Sequence, residues 1–288
     1  RLLALDIDGT LLTSEKTISV RTRAALDAAR AAGVRLVLVT GRRLPSARKV
    51  ARDLGGDIPV VAHNGALVVE GSRILVSLPL PRAVARRAVE IGLGVGSEPV
   101  LHCGAGGEGR VFVRESGHSS PHVRYYLERA APDVRVVRDL AAVLEAEEPM
   151  QVMFGGPGPE MSRAEAALED ALGVEAHVER SVYPAAGLVI LEVLEKTVAK
   201  ATALGRLQAR WGIAAEDTLA IGDNWNDREM ISSAGVGYVM GNADPELRRL
   251  GLPVLPTNDE DGVAVAIERH LEDTPHVHVP GRKKKGGE

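Results

Sequence analysis

Asp6-Ile7-Asp8-Gly9-Thr10 places two carboxylates two residues apart, at the end of the apolar run Leu2–Ile7. Such a run, ended by an Asp-Gly turn signal, predicts a buried strand. A carboxylate just past the carboxyl end of a strand can attack phosphorus and form an acyl phosphate. Asp8 shares its strand-face parity, and the turn can swing it toward a leaving group. Gly9 permits the tight turn and exposes backbone N–H groups to phosphoryl oxygens. Thr40-Gly41-Arg42 follows a second run, Val34–Val39, with a hydroxyl, an amide and a guanidinium, all suited to a phosphoryl group. Asn64-Gly65 follows a third, Val60–Ala62, and adds a polar donor. Gly222-Asp223-Asn224-Trp225-Asn226-Asp227 follows Thr218–Ile221. Its two bracketing aspartates can face one point, and hard oxygen ligands of this kind suit Mg²⁺. Lys200 opens a helix, where an ammonium can neutralise nucleophile and phosphate together. Taken singly, several of these have plain uses: a turn at Asp8-Gly9, helix caps at Thr40 and Asp223, an exposed helical lysine at 200.

Strands must alternate with helices to bring these groups to one edge. Ser19–Ala32 has helical spacing with Ser19 as N-cap and Gly33 as a stop, and Pro45–Leu54 reads as a second helix. This alternation predicts a Rossmann-like, mostly parallel sheet, an α/β core. Leu67–Glu70 and Ile74–Leu78 read as a hairpin across Gly71-Ser72. Between Pro81 and Ala186 the pattern changes to mixed strands and helices, with a glycine-rich connection at Gly104–Gly109 and a strand at Val174–Glu179. The expected organisation is a core over 1–80, an inserted α+β cap domain over 81–186, the rest of the core over 187–273, and a disordered tail over 274–288. In that tail Lys283–Lys285 is too short a basic run to argue for nucleic acid, and His276 and His278 are weak metal candidates.

The 288 residues, 45% apolar and 26% charged, describe a soluble globular protein. A net charge of −4 offers nucleic acid no general attraction, so an anionic substrate must be held by a local site. Aromatics at 3% exclude a base-stacking platform. The single Cys103 cannot close an internal disulfide, which fits a reducing cytoplasm. No run is long enough for a membrane span and no signal-peptide pattern opens the chain. Oligomeric state is not legible.

In this order the motifs resemble the haloacid dehalogenase superfamily, specifically its Cof-type sugar-phosphatase branch with a large cap of the second kind (type IIB). Asp6-Ile7-Asp8-Gly9-Thr10-Leu11-Leu12 matches the first motif, Thr40-Gly41-Arg42 the second, Lys200 the third and Gly222 through Asp227 the fourth. Further markers are His63-Asn64-Gly65-Ala66, Met240-Gly241-Asn242-Ala243 and Asn258 through Val263. The resemblance covers about 2–64 and 191–267. Two departures stand out: Thr197-Val198-Ala199-Lys200-Ala201 lacks the usual glycine and small polar residue, which leaves Lys196 as a second candidate, and Arg248-Arg249 stands where members carry a lysine.

The resemblance implies Asp6 as nucleophile and Asp8 as general acid, later base. Mg²⁺ would be bound by Asp6, the backbone carbonyl of Asp8 and Asp223, with Asp227 supporting. Thr40 and Lys200 would hold the transferring group with Gly9, Gly41, Arg42 and Asn64 around the phosphate, and Asn226 would orient the metal site or Lys200. The implied activity is hydrolysis of a small phosphorylated metabolite. A phosphohexomutase of the phosphomannomutase type shares these motifs, and a non-catalytic phosphosugar-binding protein would share the fold. Halide removal fits poorly, since it needs neither Asp8 nor the paired metal carboxylates. Substrate choice is expected to lie in the cap, where His102, His118, His122 and Arg124 are the polar candidates.

Overall fold

The computed structural model describes residues 1–118 and 121–272; the tail histidines and lysines lie outside them. The chain enters directly into β1 (Leu2–Leu5), then α1 (Val20–Ala31), β2 (Arg35–Val39), α2 (Leu44–Asp53) and β3 (Val60–Ala62). The hairpin β4 (Leu67–Glu70) and β5 (Arg73–Ser77) closes the first core segment. The Ser19 hydroxyl caps α1 by accepting from the Thr22 amide at 3.0 Å.

The inserted segment runs through α3 (Arg82–Gly94), β6 (Val100–Cys103), β7 (Arg110–Arg114), α4 (Glu115–His118) and α5 (Pro121–Ala130). It continues with β8 (Val134–Val137), α6 (Leu140–Ala146), β9 (Pro149–Gly156), α7 (Gly158–Leu172), β10 (Ala176–Tyr183) and β11 (Leu188–Glu195). The core resumes with α8 (Lys200–Trp211), β12 (Thr218–Gly222), α9 (Arg228–Ser233), β13 (Val236–Val239), α10 (Pro245–Arg248) and α11 (Gly262–Glu272).

The core sheet has the order β13-β12-β1-β2-β3-β4-β5, parallel from β13 to β3 and antiparallel in the last two strands. Every residue of β1 is buried, because packed elements cover both faces of a central parallel strand, so Leu2-Leu3-Ala4-Leu5 is a continuous apolar run. Five loops therefore leave the same edge of the sheet, after β13, β12, β1, β2 and β3.

The cap sheet has the order β10-β11-β9-β6-β7-β8. Its pairs are antiparallel except β7 with β8. Leu101, Val152, Phe154, Leu191 and Val193 pack against residues of α3, α6 and α7. Alternate residues point the other way: Val100, Val111, Val113 and Met153 pack on Val123 and Leu127 of α5. By the same period of two, His102, Gln151 and Glu192 share this second face. The core packs against it too.

The boundary at residue 186 requires correction. Leu188–Glu195, expected in the core, is β11, paired along its length with β10 and over Val189–Val193 with β9 inside the cap sheet. After Pro184-Ala185-Ala186, Gly187 adopts a left-handed φ of +57° and closes the hairpin between β10 and β11. The strand read at Val174–Glu179 accordingly begins at Ala176 and runs on to Tyr183. The glycine-rich connection also has a specific role. A Cβ on Gly107 would lie 2.6 Å from Leu44 Cδ2, and one on Gly109 2.7 Å from Pro45, so the cap loop rests its bare backbone on the start of α2.

Candidate active site

Adjacent strands β1 and β12 bring their loops together. The Asp6 amide donates to the Ile221 carbonyl at 3.1 Å, which extends the pairing to the first residue beyond β1. The chain then turns sharply, with the Leu11 and Leu12 amides donating back to the Asp6 and Ile7 carbonyls. Gly9 has φ +79°, and a Cβ there would lie 2.2 Å from Asp223 Oδ2, so only glycine lets the two loops approach this closely. Thr10 Oγ1 donates to Asp223 Oδ1 at 3.0 Å and fixes that carboxylate.

Asp227 anchors the fourth loop. Its Oδ2 accepts from the amides of Asp223 and Asn224, each at 3.1 Å. A Cβ on Gly222 would fall 2.4 Å from its Cγ. Lys200 stands between the two loops, donating to Asp6 Oδ1 at 2.7 Å and Asp227 Oδ1 at 2.6 Å, and its side chain is 2% exposed. Gly65, with φ +114°, lets this happen. A Cβ there would lie 2.5 Å from the Ala199 carbonyl, at the start of the helix carrying Lys200. Lys196 is exposed, so the geometry places Lys200 at the cluster.

Carboxylate oxygens of Asp6, Asp223 and Asp227 lie within 4.8 Å of one another. Burial pushes the Asp6 carboxyl up to about 7, against the pull of Lys200 and with the push of Asp227 and Asp8. Asp223 is raised well above the carboxylate range by burial and by Asp6 and Asp227. Lys200 is held charged, because Asp227 and Asp6 outweigh its burial. Three carboxyl groups share one ammonium, and a cation among them would offset the burial and mutual repulsion that raise Asp6 and Asp223. All donors are oxygens, which fits a hard divalent cation such as Mg²⁺.

Asp8 leaves that cluster. Arg42 forks it, Nε to Oδ2 at 2.5 Å and Nη2 to Oδ1 at 2.7 Å, with Lys16 behind at 3.3 Å. Burial raises the Asp8 carboxyl, but the Arg42 fork and Lys16 outweigh it and leave it below the ordinary value. Arg42 is thus committed to Asp8, whereas phosphate binding alone had been expected of it. Thr40 is buried, its hydroxyl accepting from the Arg42 amide at 3.2 Å and its carbonyl from the Asn64 amide at 3.0 Å. Gly41 approaches Asn64, where a Cβ would meet Oδ1 at 3.1 Å. Asn226 Nδ2 donates to Asn64 Oδ1 at 3.0 Å.

The family model for haloacid dehalogenase-like hydrolases matches residues 3–267. The chain belongs to that family. A 5-amino-6-(5-phospho-D-ribitylamino)uracil phosphatase of Bacillus subtilis is 27% identical over 93% of this chain and 97% of its own length. A pyridoxal phosphate phosphatase of Escherichia coli is 27% identical over 94% and 98%. A solved haloacid dehalogenase-like hydrolase from Bacteroides thetaiotaomicron is 28% identical and superposes with a TM-score of 0.78, covering 94% of this chain and 99% of its own.

The family markers behind the first loop act as its scaffold. Asn242 Nδ2 donates to the Gly9 carbonyl at 2.8 Å, Asn258 Nδ2 to the Leu12 carbonyl at 2.8 Å, and Asp259 Oδ1 accepts from the Ser14 amide at 2.8 Å. The cap candidates fare differently. His118, His122 and Arg124 are exposed, the last 4.0 Å from Glu128. His102 is buried, stacked on Tyr126 and bonded to its hydroxyl at 3.0 Å. The cap residues that do reach the site were not singled out in the sequence. Asn224 exchanges two hydrogen bonds with the Val182 backbone of β10, at 3.0 and 2.8 Å. Beside it the Tyr183 ring is 38% exposed. Burial, then the charges of Asp8, Glu192, Asp223 and Asp6, hold the Tyr183 phenol protonated. From the core, the buried Arg43 reaches across to the cap, donating to the Gly109 and Ala130 carbonyls and to Asp133.

Proposed function

We propose that this protein is a Mg²⁺-dependent phosphatase that hydrolyses a small phosphorylated metabolite, a sugar phosphate or similar phosphomonoester, through a phosphorylated Asp6. The observation that carries the reading is the Asp6–Lys200–Asp227 chain with Asp223 beside it, a nucleophile, an ammonium and a cation-seeking carboxylate at one point. The phosphatase names of the relatives support it. Asp6, the Asp8 carbonyl and Asp223 would hold Mg²⁺, with Asp227 setting the loop. The bound ion supplies positive charge that lets an anionic nucleophile approach an anionic phosphate.

The chain's own groups do the rest. An Asp6 oxygen bonds to phosphorus as the ester oxygen departs, and Asp8 gives that oxygen a proton. Asp8 then takes a proton from the water that attacks phosphorus, and Asp6 is released as its carboxylate. Lys200 and Thr40 hold the transferring group, with the Gly9 and Gly41 backbone, Arg42 and Asn64 around it. The Arg42 fork keeps Asp8 ionised in the free protein, so the donor role requires the fork to open and Asp8 to take up a proton from solvent before the ester oxygen departs. A phosphoryl dianion is the natural competitor for that guanidinium.

The experiment is phosphate release from a panel of phosphorylated metabolites, with Mg²⁺, with EDTA, and with Mg²⁺ restored after EDTA. Release is expected only with the metal present and to return with it. Full turnover in exhaustively chelated buffer would overturn the metal assignment, and no release from any ester would overturn the function.

Tyr183 bears on the leaving group, because it directly follows Val182, which Asn224 ties to the fourth loop, and its side chain is partly exposed there. Tyr183→Phe is expected to reduce kcat/KM for the best metabolite about 3- to 10-fold, the scale of one hydrogen bond. p-Nitrophenyl phosphate, whose leaving group offers no such partner, is expected to change little. Equal losses on both substrates would remove Tyr183 from leaving-group recognition.

A further inference from the structure

Glu192 lies in β11, on the cap face turned to the core, and is 7% exposed. Each of its oxygens accepts from a side-chain amide, Oε2 from Asn64 Nδ2 at 2.6 Å and Oε1 from Gln151 Nε2 at 2.5 Å. A carboxylate only accepts, so both amides must turn their NH2 groups toward it. The consequences run outward in series. Asn64 is left with its oxygen facing the fourth loop, where Asn226 Nδ2 donates to it at 3.0 Å. Gln151 is left with its oxygen facing His63, whose Nδ1 lies at 3.0 Å and therefore carries the proton. One cap carboxylate thus determines which way four core and cap side chains point.

The far end of this chain is the catalytic loop. Asn226 sits between Asp223 and Asp227, and with its NH2 on Asn64 it presents Oδ1, a buried acceptor without a partner among the described residues. The near end is tied to the second loop, through Asn64 N on the Thr40 carbonyl and His63 N on the Arg42 carbonyl, both at 3.0 Å. His63 and Asn64 hold left-handed φ values of +50° and +53°, a conformation that costs free energy in non-glycine residues and needs outside support.

We propose that Glu192 is a positioning residue contributed by the cap: through Asn64 it aims the Asn226 carboxamide at the Asp223–Asp227 loop, so that docking of the cap completes the catalytic site. Glu192 does not touch the reacting atoms. The catalytic part of the inference rests on the phosphatase reading above. The side-chain orientation does not.

The test compares Glu192→Leu, which offers no acceptor, with Glu192→Gln, in wild-type and Asn226→Ala backgrounds. Assays run with Mg²⁺ and p-nitrophenyl phosphate on the alkaline side of neutrality, where the carboxylate is ionised. E192L is expected to lower kcat about 10- to 100-fold, the scale of outer partners at a metal site, with little change in KM. E192Q is expected to keep kcat within about threefold, because one amide oxygen still receives Asn64 while Gln151 and the adaptable His63 turn round together. In the N226A background, E192L is expected to have no further effect, as for residues acting through one chain. If E192L does not fold, E192M, close to glutamate in volume and without a carboxylate acceptor, replaces it.

A readout independent of turnover is the side-chain amide NMR signal of Asn226, expected to shift in E192L and to return in E192Q. Wild-type kcat in E192L, the same fold loss in both backgrounds, or an unmoved Asn226 signal would each overturn the proposal. A shifted signal in a protein that releases phosphate from no ester would uphold the relay and overturn the function instead.

Discussion

Asp6→Asn is expected to lower kcat for every phosphate ester by roughly 10⁴- to 10⁶-fold, the scale on which loss of a nucleophile acts, while the protein stays folded. The Asn oxygen can still accept from Lys200, so the 2.7 Å contact need not break. What is lost is the anionic oxygen that would bond to phosphorus. Stability moves the other way in metal-free buffer. The Asp6 carboxyl is raised from 3.8 to about 7 by burial beside other carboxylates. A group with a raised folded pKa contributes stability that is fully present below its unfolded value and lost as pH rises through the folded one. Wild type therefore loses this contribution between about pH 4 and pH 7, and Asn, which never ionises, does not. The metal-free variant is expected to melt a few degrees above wild type on the alkaline side, and Mg²⁺ to stabilise wild type more than the variant. Wild-type-like phosphate release by the variant would end the nucleophile assignment.

Lys200→Met is expected to damage both activity and stability. The ammonium is 2% exposed and is shared by Asp6 and Asp227. Removing one partner of a buried ion pair typically costs about 3–5 kcal/mol, because the remaining charge is left without compensation. Here two carboxylates are left, and kcat is expected to fall at least about 10²- to 10³-fold with loss of a fixed donor to the transferring group. The pH dependence identifies the cause. Lys200 pulls the Asp6 carboxyl down, so the variant raises it further above 3.8, and the destabilisation grows as pH rises. Urea unfolding in EDTA should show the largest deficit on the alkaline side and a shrinking one on acidification. A deficit that grows toward low pH would show that Lys200 serves packing rather than charge.

The residues of the phosphoryl chemistry were legible because they follow apolar runs. Asp6, Thr40, Asn64 and Asp223 each stand just beyond a strand that both sequence and structure place in the core sheet. Residue type at a parallel strand end is therefore a local signal. The choice of Lys200 over Lys196 was not local, since it depends on how closely Gly65 lets the third loop approach Ala199. Glu192 was invisible for a related reason. Leu188–Glu195 carries two glutamates among aliphatic residues, nothing local sets Glu192 apart from Glu195, and only the docking of cap on core makes the Glu192 face an interior. The same strand was misplaced in the core because its pairing partners, β9 and β10, are specified by the sheet and not by its own residues. The role of Gly107 and Gly109 is set by the start of α2 beneath them, some sixty residues away in sequence. Among cap polar groups, His118, His122 and Arg124 are exposed, while the end of β10, Val182-Tyr183, is the part held against the fourth loop.

Acid-quenched turnover with Mg²⁺ and the best substrate, followed by peptide mapping, tests the central claim most directly. The predicted result is a phosphoryl group on the peptide that carries Asp6, removed by hydroxylamine as an acyl phosphate must be, and absent from the D6N protein. Phosphate released at full rate with the adduct on another residue, or with D6N still turning over, would contradict it.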